Sequence, residues 1–367
     1  MENSKDSQKL NWGTKKEWQT IVLMIFLIGF LVHIPTLFKL DSESYFIRNI
    51  GLILFLPLTL CLIWYQKAEL KQTIIPLLII SLGTAYLNGL DGDENHPPFF
   101  LSCVHMIVLF WGAYAFTSLR KKWSSNASRV SFLRQSGDHL LLIGLIILGG
   151  VLFSLLAVEL FALIGFEFSA FYFQHIAPWG LAVVPVLALF ILLHNLFLVD
   201  KVSSLIATLF TPFALLTLVL FSASLPFAEA SVFKDRSVLL LFNIILFAIL
   251  GLILFSLSGS TKSSKKKGWV YLLICLAVVC LIDNIIALSA IGYRMLSFGL
   301  SANRLAILGL NVIVSTHLAS ITVAMIRLKK MKNYQSIENK IGAFLSVYLL
   351  WAGCVAFLFP IFFQEKI

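Results

Sequence analysis

Long apolar runs separated by short polar breaks dominate the chain. Eleven runs of roughly 20 residues lie at about 20–38, 49–65, 73–90, 99–119, 140–166, 180–199, 202–224, 238–258, 269–293, 305–326 and 343–363. A helix rises about 1.5 Å per residue and a hydrocarbon core is about 30 Å thick, so each run predicts one membrane-crossing helix. The expected fold is an all-α integral membrane protein, a polytopic bundle of about 11 transmembrane helices. The longest polar break divides it into a leader at 1–19, a four-span bundle at 20–119, a basic cytoplasmic loop at 120–139 and a seven-span bundle at 140–367. The first run follows a polar leader and lacks a small-residue cleavage site, which predicts a retained span.

Charge adds an orientation. With the N-terminus inside, 21 of the 28 Lys and Arg fall on inner segments and 7 on outer ones. That bias predicts a cytoplasmic N-terminus, an external C-terminus and a bacterial cytoplasmic (inner) membrane location. Trp18, Trp64, Trp123 and Trp269 fall near the inner boundary and Trp179 near the outer one, as an interfacial belt requires. The net charge of +10 is therefore a sign of topology. It predicts attraction to anionic lipid at the cytoplasmic face and no nucleic-acid partner.

Composition sharpens the class. The chain is 59% hydrophobic and 13% charged, with a mean hydropathy of +0.93, which excludes an ordinary soluble domain. Cys61, Cys103, Cys275, Cys280 and Cys354 all lie in apolar runs and read as small hydrophobes rather than a disulfide or zinc framework. No metal or cofactor is expected. DGDENH (Asp91–His96) lacks the glycine and terminal acid of a calcium loop, and there is no HExxH, P-loop, GxSxG or dinucleotide fingerprint. No internal repeat supports an inverted-repeat transporter.

Polar groups inside the apolar runs carry the functional signal, because each is costly without a partner. Counting about 1.5 Å per residue, Asp283, Asn311, His33, His105 and Asn243 all fall about 8–11 Å below the outer face. Asn284 accompanies Asp283, Glu159 lies near the outer boundary, and His317, His194 and Asn195 lie deeper. Two readings stand side by side. The layer lines an outward-facing cavity, or each group makes an interhelical hydrogen bond that holds the bundle.

The turn IGYRMLSFGLSANRLAILG (Ile291–Gly309) sits just above that layer. Gly299 suits the left-handed end of the ninth span and Ser301 the N-cap of the tenth. Arg294 and Arg304, with Asn303, flank the turn, where arginines reach water or phosphate. Arg294 follows Asp283 by eleven residues, three helical turns on the same face.

From about Pro97 to Phe363 the chain resembles an uncharacterised bacterial family of polytopic membrane proteins named by its domain of unknown function, number four-one-five-three. The stretches that carry the resemblance are CVHMIVLFWG (Cys103–Gly112), FEFSAFYFQHIAPWGLAVVP (Phe166–Pro185), FTPFALLTLV (Phe210–Val219), FGLSANRLAILGLN (Phe298–Asn311) and FLFPIFF (Phe357–Phe363). The first three spans lie outside it. It implies the same membrane fold, gives no activity or cofactor, and marks Gly299, Asn303 and Arg304 above their neighbours.

The expected function is transport or translocation of a small solute or lipid head group through an outward-facing polar cavity. Asp283 would serve as coupling acid, Arg294 and Arg304 as anion-facing groups, and Asn311 as a hydrogen-bonding wall. The alternatives are a non-enzymatic sensor, scaffold or partner subunit, and an intramembrane enzyme using Asp283 with His317 or His105 on a lipid-linked substrate.

Overall fold

The computed structural model of the chain describes residues 11–92, 95–163, 169–227, 233, 235–259, 267–331 and 334–363. The leader up to residue 10, the centre of the DGDENH stretch, residues 164–168 of the second family-like stretch, the basic connection at 260–266 and the last four residues lie outside them. Eleven helices are long and apolar enough to cross a membrane. They are α1 (Lys15–Phe38), α2 (Ser42–Gln66), α3 (Leu70–Gly89), α4 (Pro97–Leu119), α5 (Asn126–Leu163), α6 (Ser169–His194), α7 (Leu196–Ser224), α8 (Arg236–Gly259), α9 (Lys267–Phe298), α10 (Ala302–Met331) and α11 (Tyr334–Phe362). No strand occurs among the described residues. This is the architecture of a multi-pass membrane protein.

Local chemistry sets the helix ends. Thr14 and Glu17 form a capping box that starts α1. Lys39 and Lys67 end α1 and α2 in left-handed helical conformations, with φ of 54° and 49°, and Arg120 ends α4 with a φ of 53° but an extended ψ of −134°. Their cations sit at the negative ends of the helix dipoles. Gly299, at φ 77°, makes the same stop after α9 without the steric cost of a side chain. These short turns force antiparallel neighbours. The bundle thus has a basic end, with the turns at 67–69 and 120–125, and an opposite end, with the turns at 39–41 and 299–301.

Two expectations about the chain's division change. The segment 120–139 is loop only as far as Ser125. From Asn126 it forms the first turns of a 38-residue helix, because its polar residues lie between Val130, Phe132, Asp138 and His139, which are buried. At about 1.5 Å per residue α5 is close to 57 Å long, far more than a bilayer core needs, so one end extends past the hydrocarbon. Nor do four- and seven-span bundles separate in space. Helices α1, α2, α4 and α6 share one core and α7–α11 another, with α5 giving Phe132 to the first and Val130 to the second. The last helix, α11, crosses back to pack on α4 and α5, where Ser102 Oγ donates to the Ala356 carbonyl at 2.5 Å.

Arg48 shows how an arginine is used at the opposite end. Its Nη1 donates to the Leu87 and Leu90 carbonyls at 2.6 and 2.7 Å, and its Nη2 to the Gly92 carbonyl at 2.8 Å. The guanidinium also lies 4.5 Å from the Phe99 ring centre. One side chain on α2 therefore caps the carbonyl end of α3 and meets α4, a task that needs the fork of an arginine. Arg48→Ala should cost about 2–3 kcal/mol, read as a lower melting temperature in detergent, and Arg48→Lys should recover less than half. An unchanged melting temperature for Arg48→Ala would show that water serves those carbonyls equally well.

Candidate functional site

The residues placed at one depth by the sequence separate into distinct surroundings. Asn284, Asn311 and Asn243 form one connected chain of amides across three helices. Asn284 Nδ2 donates to Asn311 Oδ1 at 3.1 Å, and Asn311 Nδ2 donates to Asn243 Oδ1 at 2.8 Å and to the Ile307 carbonyl at 2.9 Å. Ser315 Oγ closes one end by donating to Asn284 Oδ1 at 2.6 Å. Asn243 Nδ2 closes the other on the Leu239 carbonyl at 2.8 Å. Asn284 and Asn311 are fully buried and Asn243 nearly so. With its amides paired in this way, the chain is a ladder linking α8, α9 and α10.

Asp283 precedes Asn284 by one residue, a step of about 100° around the helix axis, so it faces a different neighbour. Ser222 Oγ on α7 lies 2.7 Å from Asp283 Oδ1 and donates to it; the Leu218 carbonyl is a second acceptor at 2.7 Å. Asp283 is fully buried, and its Oδ2 has no hydrogen-bond partner among the described residues. Asn311 is thus met by Asn284 and not by the acid beside it. Arg294 lies about 16 Å further along the same helix, too far for direct contact. Neither Asp283 nor Asn311 borders the three cavities described below.

The turn residues have their own geometry. Arg304 Nη1 donates to the Phe298 and Gly299 carbonyls at 2.9 and 2.6 Å, which closes the end of α9. Ser301 holds the cap position, its carbonyl accepting from Leu305 N at 3.0 Å and its hydroxyl lying 3.5 Å from Arg304 N. The Arg294 and Arg304 guanidiniums lie 5.6 and 5.7 Å from the Phe298 ring centre. Asn303 is half-buried beside them. Arg304 is thus committed to the turn.

His33 and Glu159 lie elsewhere. His33 Nδ1 donates to the Gly29 carbonyl at 2.8 Å, and its ring stacks 6.0 Å from His175 on α6. Next to it, Trp179 Nε1 donates to the Ile25 carbonyl at 3.1 Å. The indole expected at an interface is inserted between α1 and α6 instead. Glu159 is exposed on the side of α5.

His105 and His317 do come together around one space. A cavity of about 340 Å³ lies between α4, α5, α8, α10 and α11, with His105, Trp111, His317, Tyr348, Trp351 and Leu310 in its wall. His105 Nδ1 donates to the Leu101 carbonyl at 2.8 Å. His317 stacks on Phe344, with centres 4.1 Å apart and planes 5° from parallel. Its Nδ1 lies 3.1 Å from Tyr348 Oη. With the tyrosine hydroxyl as donor to Nδ1, the neutral ring carries its proton on Nε2. His317 Nε2 and Trp351 Nε1 are both buried without a hydrogen-bond partner among the described residues. Trp351 is held close by Gly309, where an added Cβ would meet the indole at 2.2 Å. His317 and Trp351 both border the cavity, but the two nitrogens are shut off behind their own rings and the surface open to the cavity is almost wholly apolar. Each such unpaired N–H costs about 1–3 kcal/mol.

Sequence reasoning named His105 and His317 but missed Tyr348, Trp351 and Ser222. Aromatic and hydroxyl residues in an apolar run carry no signal of their own until packing shows which polar atoms are unpaired. No group of three or more His, Cys, Asp or Glu suited to a metal occurs among the described residues. All five cysteines are free thiols. Comparison with family models, with curated proteins and with solved structures finds no match.

A double-mutant cycle measures the ladder. Asn284→Ala with Asn311→Ala should show a coupling near the upper end for membrane hydrogen bonds, about 1–2 kcal/mol, in reversible unfolding. Asn303→Ala on the turn should change stability by less than about 0.5 kcal/mol. Simple additivity of the two ladder substitutions would mean that the amides act independently.

Proposed function

We propose that the protein binds and translocates a small, largely apolar molecule bearing a hydrogen-bond acceptor, using the cavity between α4 and α10–α11. It would do so in the bacterial cytoplasmic membrane, N-terminus cytoplasmic and C-terminus external, with anionic lipid at the basic face. The single observation that carries this reading is one largely apolar cavity bordered by His317 and Trp351, whose ring nitrogens Nε2 and Nε1 are buried just behind its surface without a hydrogen-bond partner among the described residues. The aromatic wall would hold an apolar body, and a carbonyl, carboxyl or phosphoryl oxygen on it would pair these nitrogens once the rings turn from their present packing toward the cavity. Placement supports passage, because the cavity lies where the two helical cores meet, with α5 and α11 both crossing between them. Assignment to the family suggested by the sequence remains part of the same proposal.

The substrate-handling roles first expected for Asp283 and Asn311 are not carried into this proposal, since both groups are sealed. Arg294 and Arg304 could still draw an anionic group toward the opposite end of the bundle. A scaffold or partner-subunit role is the second reading, favoured by the apolar half of α5 beyond Leu140, where Leu148, Phe153 and Leu156 are exposed. An enzymatic role has less support, because the cavity wall brings two histidines together without a carboxylate.

Mass spectrometry of small molecules released from the purified full-length chain tests the proposal. The wild type should retain one species in near-stoichiometric amount. Trp351→Phe with His317→Phe keeps the rings but removes both N–H groups, and should reduce that species at least about tenfold. Equal release from wild type and variant, or a higher melting temperature of the variant with nothing bound in the wild type, would overturn it. In a background lacking the native cysteines, Ala352→Cys should react with a water-soluble maleimide if the cavity opens during transport. Complete protection under all conditions would favour the scaffold.

A further inference from the structure

A second site lies between α3 and α4, apart from the cavity. At the basic end a pocket of about 400 Å³ is bordered by Lys67, Arg120, Lys121 and Lys122, with Glu69 as its one carboxylate. Lys121 is paired with Glu69 at 2.7 Å, and Arg120 Nε donates to Gln66 Oε1 at 2.8 Å. Lys67 and Lys122 supply the remaining charge. The start of α3 adds to it, because Glu69 at the N-cap makes no side-chain capping bond to the first-turn amides. Uncapped amides and the positive helix end favour an anion there. Gln72, which is buried in the same wall, has an Oε1 without a hydrogen-bond partner among the described residues.

One turn further along α3 the chemistry changes. An apolar groove of about 460 Å³ is bordered by Ile75, Ile79 and Leu82 of α3, by Leu109 and Phe116 of α4, by Trp123 beyond it, and on its far side by Leu349 and Phe357 of α11. Residues 72, 75, 79 and 82 share one face of α3, and 119, 116, 113 and 109 share one face of α4. Pocket and groove therefore lie end to end along the same helix pair. From Gln72 to Leu82 is about 15 Å along the axis, the hydrocarbon depth of a single leaflet.

We propose that this is a binding site for one anionic phospholipid of the leaflet at the basic end. Its phosphodiester lies among Lys67, Lys122 and the first turn of α3. An acyl chain follows the groove past Ile79. The charge at one end and the leaflet-length apolar trough at the other select this occupant over a free anion, which has no use for the groove, and over a neutral lipid, which has no use for the cations.

Native mass spectrometry of the full chain in detergent tests the site, with phosphatidylglycerol, phosphatidylcholine of the same acyl chains, and glycerol 3-phosphate as probes. Phosphatidylglycerol should be retained at least tenfold better than phosphatidylcholine. Lys67→Gln with Lys122→Gln should lower its retention by about 30-fold and leave phosphatidylcholine unchanged. Ile79→Trp, which fills the trough from an exposed position, should weaken both lipids. Glycerol 3-phosphate should not compete. Equal retention of the two lipids, no loss in the double variant, or full competition by glycerol 3-phosphate overturns the proposal. Melting temperatures without lipid check folding, and Lys122→Gln alone repeats the test if the double variant unfolds. The molecule released from the His317 cavity should be unaffected by these substitutions, which separates failure of this site from failure of that one.

Discussion

In hydrocarbon a polar group without a partner has no water to turn to, and the fold depends on how this chain meets that constraint. Backbone groups meet it by helix formation, which is why the described residues are almost wholly helical. Side chains meet it pairwise. The amide ladder from Ser315 through Asn284 and Asn311 to Asn243 ties three helices with groups that pair one another. Because apolar side chains gain little from leaving lipid for protein, these bonds and close packing supply the specificity that burial supplies in water. Neighbouring helices fixed in rotation in this way leave the turn at Gly299 with little freedom.

The dipeptide Asp283–Asn284 shows how much one helix can organise. Its two side chains diverge by about 100°, so Asn284 holds α10 while Asp283 takes the Ser222 hydroxyl of α7. Helix α9 is thereby located between two partners by consecutive residues. Trp179 does comparable work on the other core, reaching into the notch at Gly29 to the Ile25 carbonyl. Arg48 and Arg304 close helix ends by donating to terminal carbonyls. In each case the costly group is one that a shorter or less directional side chain could not replace.

Depth was legible in the sequence and direction was not. Counting residues from the predicted interfaces put Asn311 and Asn243 at one level, and the structure joins them. The same count put His33 and His105 there too, yet they belong to helices on other parts of the bundle. A single span gives the height of a side chain, but its neighbours depend on how helices rotate and which ones meet, and those are long-range facts. The misread stretch at 120–139 has a related cause. Its serines, arginines and glutamine resemble a loop by composition, while the apolar spacing of Val130 and Phe132 becomes meaningful only against the helices that bury them. The turn at Gly299 was readable because left-handed geometry and capping are local.

Structural and functional polarity can be separated by one criterion, whether the buried groups are satisfied. Amides of the ladder are paired along its length, so no ligand is needed to explain them. His317 Nε2 and Trp351 Nε1 lack partners although both residues border a cavity. Folding alone gains nothing from that arrangement, since phenylalanine at either position would pack without leaving an N–H unpaired. Asp283 falls between the two cases, with one oxygen bonded and the other not, and it does not border the cavity of His317 and Trp351. The unpaired N–H groups therefore move the search for a ligand away from the acid that first drew attention in the sequence. They place it among aromatic residues whose polar atoms are too few to mark an apolar run.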